Sequence, residues 1–311
     1  MNSKTDTTNT ERPAPATMQT APAARPDAAA KKTASPRKRA TAARTPLAKP
    51  LSTEQLGAMF KLVKGATSVE LKLSVPLMDQ RMTIKSVGYD PVEAQPRMAY
   101  FFDTPDLALN RAGVVVRARR IQGGDGDTVF KLRPVDPSTI DPQLRRSAAF
   151  KIEVDAMPGG YLCSASFKGV CTAQEVLDVE AGEMRLRKLF SKEQRASFFD
   201  AHAPAGLTMD KLVILGPTFL LKLRHQPQSK DFDRPIVLEL WLYPDGSRMM
   251  EISTKCQPKE TFQFATDFKA YLAERGIELS ADKSAKTKSS LEFFSARLKA
   301  EEGPGDGAAP A

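Results

Sequence analysis

Charged residues in this chain recur at alternate positions of short apolar segments, and both signs are present. Glu70 and Lys72 alternate with Val69, Leu71 and Leu73, Arg117 and Arg119 with Val116 and Ala118, and Lys131 and Arg133 with Phe130 and Leu132. The same spacing sets Glu153 and Asp155 against Ile152 and Val154, and Lys222 and Arg224 against Leu221 and Leu223. Glu239 lies between Leu238 and Leu240, and Glu251 beside Ile252. Successive side chains on a strand point to opposite faces, so each segment has one ionic and one apolar face. Arginine presents paired planar donors that match phosphate oxygens, and lysine adds a compact charge. The carboxylates of Glu70, Glu153, Asp155, Glu239 and Glu251 supply the oxygen ligands that Mg²⁺ or Mn²⁺ prefer. Together these groups suit a polyanion bridged by a metal ion.

One such strand is compatible with an open antiparallel sheet whose polar face is solvated. A solvated face normally mixes Ser, Thr and Gln with Lys, whereas here Arg, Lys and carboxylates are concentrated. That predicts an α+β fold in which an antiparallel β-barrel closes, with the charges inside and the apolar faces packed outward against flanking helices. Strands are expected near 68–75, 81–89, 97–103, 113–121, 127–133 and 147–155, and again near 211–215, 218–225, 236–243 and 249–255. Ser52-Thr53-Glu54-Gln55 has the pattern of a capping box and predicts a helix over 52–64. Helical patterns at 173–178 and 191–201 mark 158–206 as a helical insertion over one outer face. Amphipathic helices follow at 259–275 and 288–299. Asp103 and Thr104 are expected to cap a turn, and Trp241 to follow the inward period of Glu239 as a contact or a plug.

The net charge of +9 is unevenly spread. Residues 1–50 hold ten Lys or Arg against three Asp or Glu, so the rest of the chain is close to neutral. This Ala-, Pro- and Lys-rich segment is expected to be a disordered basic tail, able to contact a polyanion such as nucleic acid or polyphosphate. Residues 51–300 are expected to form a single domain, and 301–311 a disordered C-terminus. No apolar run approaches membrane-spanning length. Three cysteines without CxxC spacing predict reduced thiols and a cytoplasmic location. Two histidines leave little room for Ser–His or Cys–His chemistry. A GxxxxGK[ST] phosphate loop is absent, which argues against a Walker ATPase.

The run from Tyr100 through Phe101-Phe102-Asp103-Thr104-Pro105-Asp106 to Asn110-Arg111-Ala112-Gly113, continuing to Arg117-Ala118-Arg119, resembles the CYTH superfamily of triphosphate tunnel metalloenzymes. The likeness extends through Lys131-Leu132-Arg133, Glu153-Val154-Asp155, Lys222-Leu223-Arg224 and Lys286-Thr287-Lys288, over roughly residues 66–297. It implies a tunnel of about eight antiparallel strands and a metal-dependent hydrolase of a triphosphate-containing substrate, with inorganic triphosphate favoured. A non-catalytic polyphosphate or nucleotide binder and an adenylate cyclase are the alternatives. By resemblance, Arg117, Arg119, Lys131, Arg133, Lys222, Arg224 and Lys288 are the phosphate ligands, with Lys286 and Lys288 closing one tunnel mouth. Glu70, Asp155, Glu239 and Glu251 are the metal ligands, and Lys72 and Glu153 the catalytic pair. The chain departs from the family's ExExK motif, because its window reads Ser68-Val69-Glu70-Leu71-Lys72.

Overall fold

A computed structural model describes residues 51–277 and 286–301. The basic tail over 1–50, the last residues from 302 and the Lys286 side chain lie outside the described residues. Nine strands close into one barrel in the order β1-β5-β6-β4-β3-β2-β7-β8-β9, and β9 pairs back onto β1. They are β1 Ser68–Val75, β2 Gln95–Asp103, β3 Val114–Ile121, β4 Gly124–Leu132 and β5 Phe150–Met157, then β6 Gly160–Cys171, β7 Val213–His225, β8 Ile236–Leu242 and β9 Arg248–Cys256. The helices are α1 Thr53–Gly65, α2 Gln80–Val87, α3 Ala108–Arg111, α4 Ala173–Glu180, α5 Thr261–Glu274 and α6 Lys286–Glu301. The α+β barrel with flanking helices is the expected class, with two differences. It has nine strands, and it is mixed, because β1 runs parallel to β5 while the other neighbours are antiparallel. Period-two alternation reports which face a residue occupies and carries no information about the direction of the neighbouring strand.

The outward faces explain closure. Val69, Val116, Ala118, Phe130, Ile152, Val154, Phe167 and Ile252 are buried in one continuous core between barrel and helices. Helix α4 adds Val176 and Val179 to this core, and α5 adds Phe264, Phe268 and Leu272. A second apolar cluster has a different position. Phe101, Val115, Leu220 and Trp241 share the inward period of the charged residues and pack against Leu291 and Phe294 of α6. One end of the barrel is therefore filled by oil, and α6 lies against it. The Thr218 hydroxyl donates to Ser290 Oγ at 3.2 Å and the Ser295 hydroxyl to the Pro105 carbonyl at 2.6 Å, fixing that helix.

Two secondary-structure expectations need correction. Residues 81–89 are not a strand. Gln80, Thr83 and Val87 are buried at helical spacing, and Gly88 ends α2 in the left-handed region at φ 75°. The stretch expected as a helical insertion over 158–206 begins instead with β6, a full barrel strand between β4 and β5. Its inward positions include Ser164 and Ser166, small uncharged residues that hide the ionic alternation seen elsewhere. Helix begins only at Ala173, and the later helical stretch carries Phe198 and Phe199 into the outer core.

Two local devices set the register of the cationic strands. Asp103 Oδ1 accepts from the Thr104 and Leu109 amides at 2.8 Å each, and Oδ2 accepts from Asn110 at 2.9 Å. This cap closes the β2–β3 turn, the structural role expected of Asp103 and Thr104. Gly113 opens β3 at φ 77°, where a Cβ would lie 2.7 Å from the Arg133 carbonyl. That carbonyl therefore leaves no room for a side chain, and Gly113 also tolerates the left-handed backbone.

Candidate functional site

The barrel interior is one cavity of about 1070 Å³. Around it stand the cations Arg117 and Arg119 of β3, Lys131 and Arg133 of β4 and the following residue, and Lys222 and Arg224 of β7. Glu70 and Lys72 of β1, Glu153 of β5, Glu239 of β8 and Glu251 of β9 join them. Asp155 is buried in the wall, 3.1 Å from Lys72 Nζ and 3.7 Å from Lys131 Nζ. Lys288 does not belong to this group. Its side chain is 65% exposed on α6 and lies 3.7 Å from Glu292, one helical turn on. Helical geometry explains the difference: the face of α6 that meets the barrel carries Ser290, Leu291 and Phe294, and the neighbouring Thr287 lines the cavity.

Strand register assembles the acidic part. Across the parallel β1–β5 ladder Glu70 is opposite Asp155 and Ser68 opposite Glu153, while across β1–β9 Glu70 is opposite Lys255. Carboxylate oxygens of Glu70, Glu153 and Asp155 lie within 4.8 Å of one another. Lys72 Nζ is 3.1 Å from Glu70 Oε2, and Lys255 Nζ is 3.5 Å from the same oxygen and also touches Glu153. The contact from Lys72 to Asp155 Oδ1 is out of hydrogen-bond alignment, so this buried oxygen keeps its acceptor capacity among the described residues. Three clustered hard oxygen donors, one of them accepting no aligned hydrogen bond, fit a divalent cation of the Mg²⁺ or Mn²⁺ type. Glu239 and Glu251 are opposite one another on β8 and β9, away from this trio in sequence register. Glu239 accepts from Trp241 Nε1 at 3.2 Å and faces Lys222 Nζ at 3.9 Å.

The cations of the cavity differ electrostatically. Burial works against the Lys72 ammonium, yet Glu70, Asp155, Glu251 and Glu153 together hold its pKa well above the ordinary lysine range. At Lys131, Lys222 and Arg117 burial prevails. It lowers Lys131 to about 8 against the pull of Asp155, with Lys72 and Arg133 adding repulsion. Burial likewise lowers Lys222 to about 8 despite Glu239, with Arg97 and Arg119 contributing. Arg117 falls to about 10 through burial and the neighbouring Arg119, although Asp127 lies 3.8 Å away. Desolvated cations that repel each other are stabilised by an incoming anion. Eleven Lys and Arg side chains line the cavity against five glutamates, and Asp127 and Asp155 bring the acids to seven, leaving an excess of positive charge.

Several contributors were not among the residues expected from sequence. Arg97 continues the inward period of β2 from Gln95, a short signal interrupted by Pro96. Lys168 lies in β6, the strand assigned to the insertion, and Asp127 in β4, at the edge of the strand expected near 127–133. Lys255 extends the Glu251 and Ser253 alternation and was legible on that basis. The three cysteines are free and buried, and burial raises Cys163 to about 11 and Cys171 to about 12. Thiols so far from ionisation at neutral pH are packing groups.

No family model matches this sequence, and no curated protein matches it. Solved structures do share its fold. HpAC1 of Hippeastrum, described as an adenylyl cyclase candidate with a dominant triphosphatase activity, superposes with a TM-score of 0.53 at 15% identity. That match covers 72% of this chain and 95% of the other. An adenylate cyclase candidate of Bacillus halodurans gives a TM-score of 0.50 at 14% identity, covering 72% of this chain and 97% of its own. At these identities the likeness establishes the fold, which is the tunnel barrel expected from the CYTH resemblance. No helix among the described residues is long and apolar enough to cross a membrane.

Proposed function

We propose that the tunnel binds a triphosphate chain and hydrolyses a terminal phosphoanhydride, with inorganic triphosphate as the favoured substrate. The observation that carries this reading is the excess of cations around one cavity, with Lys131 and Lys222 held near 8. A chain of linked phosphates supplies several negative charges along a length that a single phosphate lacks. Arg117, Arg119, Arg133 and Arg224 hold the phosphate oxygens by paired donors, and Lys131 and Lys222 add charge. Lys72, kept charged by its four carboxylates, stabilises the end of the chain nearest the acidic trio. Glu70, Glu153 and Asp155 would hold Mg²⁺ or Mn²⁺, which when bound neutralises charge on phosphate oxygens. Glu251 orients the attacking water, and the filled end beside α6 keeps bulk water from one side.

Inorganic triphosphate is favoured over a nucleotide because Trp241 is the aromatic residue among the described lining residues. Its ring is buried in the apolar plug and its Nε1 is committed to Glu239, so it offers a base no open stacking face. The structural neighbours keep a further activity in view, adenylate cyclisation. Ser68, a hydroxyl opposite Glu153 rather than another carboxylate, favours the second reading of a non-catalytic polyphosphate or nucleotide binder. The proposal includes a cytoplasmic protein acting through one tunnel domain over 51–300, with the tail over 1–50 as a polyanion contact. Free, buried cysteines support the reducing compartment.

Phosphate release is the test, using inorganic triphosphate and ATP with Mg²⁺, Mn²⁺ or EDTA, alongside assay for cyclic AMP. Metal-dependent release from inorganic triphosphate is expected. Tight triphosphate binding without release from either substrate would replace the hydrolase reading with the binder.

A further inference from the structure

We propose that Lys255 is a resident cation of the carboxylate trio, occupying it when no metal is bound and leaving it when a divalent ion arrives. The inference rests on the proposed metal site and adds a residue that tunes it. Lys255 projects from β9 directly opposite Glu70. Its ammonium lies 3.5 Å from Glu70 Oε2 and in contact with Glu153 Oε2, so it bridges two of the three carboxylates. Ser68 Oγ donates to that same Glu153 oxygen at 3.3 Å, adding a neutral donor.

Lys72 and Lys255 differ in a way that assigns their roles. The Lys72 side chain is 18% exposed and sits between Glu70 and Asp155, a fixed element of the trio. The Lys255 side chain is 53% exposed and hangs on a flexible four-carbon stem. It can swing away into the cavity with little loss of packing. A divalent ion held by Glu70 and Glu153 would stand within a few ångströms of the ammonium, where like charges repel strongly in a partly desolvated site. Metal binding and the seated position of Lys255 therefore exclude one another. The trio has two compensated states, one with Lys255 seated and one with metal. Lys255 keeps the acidic side compensated without metal and weakens the apparent affinity for the ion.

The test is Mn²⁺ binding to the full chain without any phosphate, read from the electron paramagnetic resonance signal of free Mn²⁺. Lys255→Met is expected to bind at least tenfold tighter than wild type, and Lys255→Arg, which retains the charge, no tighter. In metal-free buffer Lys255→Met should also unfold at a lower temperature, and Mn²⁺ should raise that temperature more than it does for wild type. Lys255→Gln serves as the neutral variant if the methionine does not fold. Mn²⁺ affinity in the neutral variant equal to or below wild type overturns the proposal. Phosphate release measured on the same samples separates the two readings. Tighter Mn²⁺ binding without hydrolysis by any of them retains the role of Lys255 and removes the hydrolase. Hydrolysis with unchanged Mn²⁺ affinity does the reverse.

Discussion

Lys131→Met is the perturbation that most directly tests whether the tunnel is built to receive an anion. The ammonium of Lys131 is held at about 8, against an ordinary lysine value of 10.5, with burial as the main cause. A depression of this size means that at neutral pH the charged lysine weighs against the folded state, by about 3 kcal/mol at about 1.4 kcal/mol per pH unit. The attraction of Asp155, 3.7 Å away, is already included in that balance. Methionine keeps the length and apolar stem while removing the charge. In phosphate-free, metal-free buffer at pH 7 the variant should therefore be more stable than wild type, by about 2–4 kcal/mol in urea unfolding. The sign fixes the pH window. The folded pKa lies below the unfolded one, so the penalty is fully present below 8 and disappears as pH rises through 8 towards 10.5. The advantage of the variant should shrink to less than half by pH 9.5. Triphosphate affinity, measured by calorimetry in EDTA, should move oppositely and fall at least tenfold in the variant at pH 7. Between pH 7 and 9.5 wild type should lose roughly 30-fold more affinity than Lys131→Arg, a comparison that cancels titration of the ligand itself. A variant that is less stable than wild type yet binds triphosphate normally would refute the reasoning and make Lys131 a structural partner of Asp155.

Two further outcomes separate site from scaffold. Lys288→Ala should leave the triphosphate dissociation constant within twofold of wild type, because the side chain is exposed on α6 and paired with Glu292; a tenfold loss by calorimetry would return it to the tunnel. Phe130→Ala removes a fully buried ring that lies 4.7 Å from Phe190 and 6.1 Å from Phe199. It should cost about 3–5 kcal/mol in denaturant unfolding while the remaining folded fraction keeps its triphosphate affinity.

Much of the interior was legible because one physical rule governs it. Alternation places Glu70 and Lys72, Arg117 and Arg119, and Lys222 and Arg224 on the same side of their strands whatever the strands pair with. Concentrated charge on that side, with Val, Leu and Phe on the other, is enough to predict closure around an ionic interior. The rule fails where its signal is absent. In β6 the inward Ser164 and Ser166 carry no charge, so the strand was read as part of a helical insertion. In 81–89 the apolar spacing that matters is helical, and a strand reading ignored Gly88 as a cap. Lys288 was assigned by resemblance to a motif, but the position of a residue around the helix decides whether its side chain meets the barrel or water.

The sequence by itself determined which residues share a face and the charge of that face, since these depend only on residue type and local periodicity. The tertiary structure decided which of those residues meet. Glu70 lies opposite Asp155 because β1 runs parallel to β5, and opposite Lys255 because β9 closes the barrel onto β1. Burial then set the charge balance, leaving Lys72 compensated by four carboxylates and Lys131 and Lys222 desolvated. Strand neighbours and depth are properties of long-range packing, and electrostatic energies depend on both distance and desolvation, so neither is encoded in local spacing.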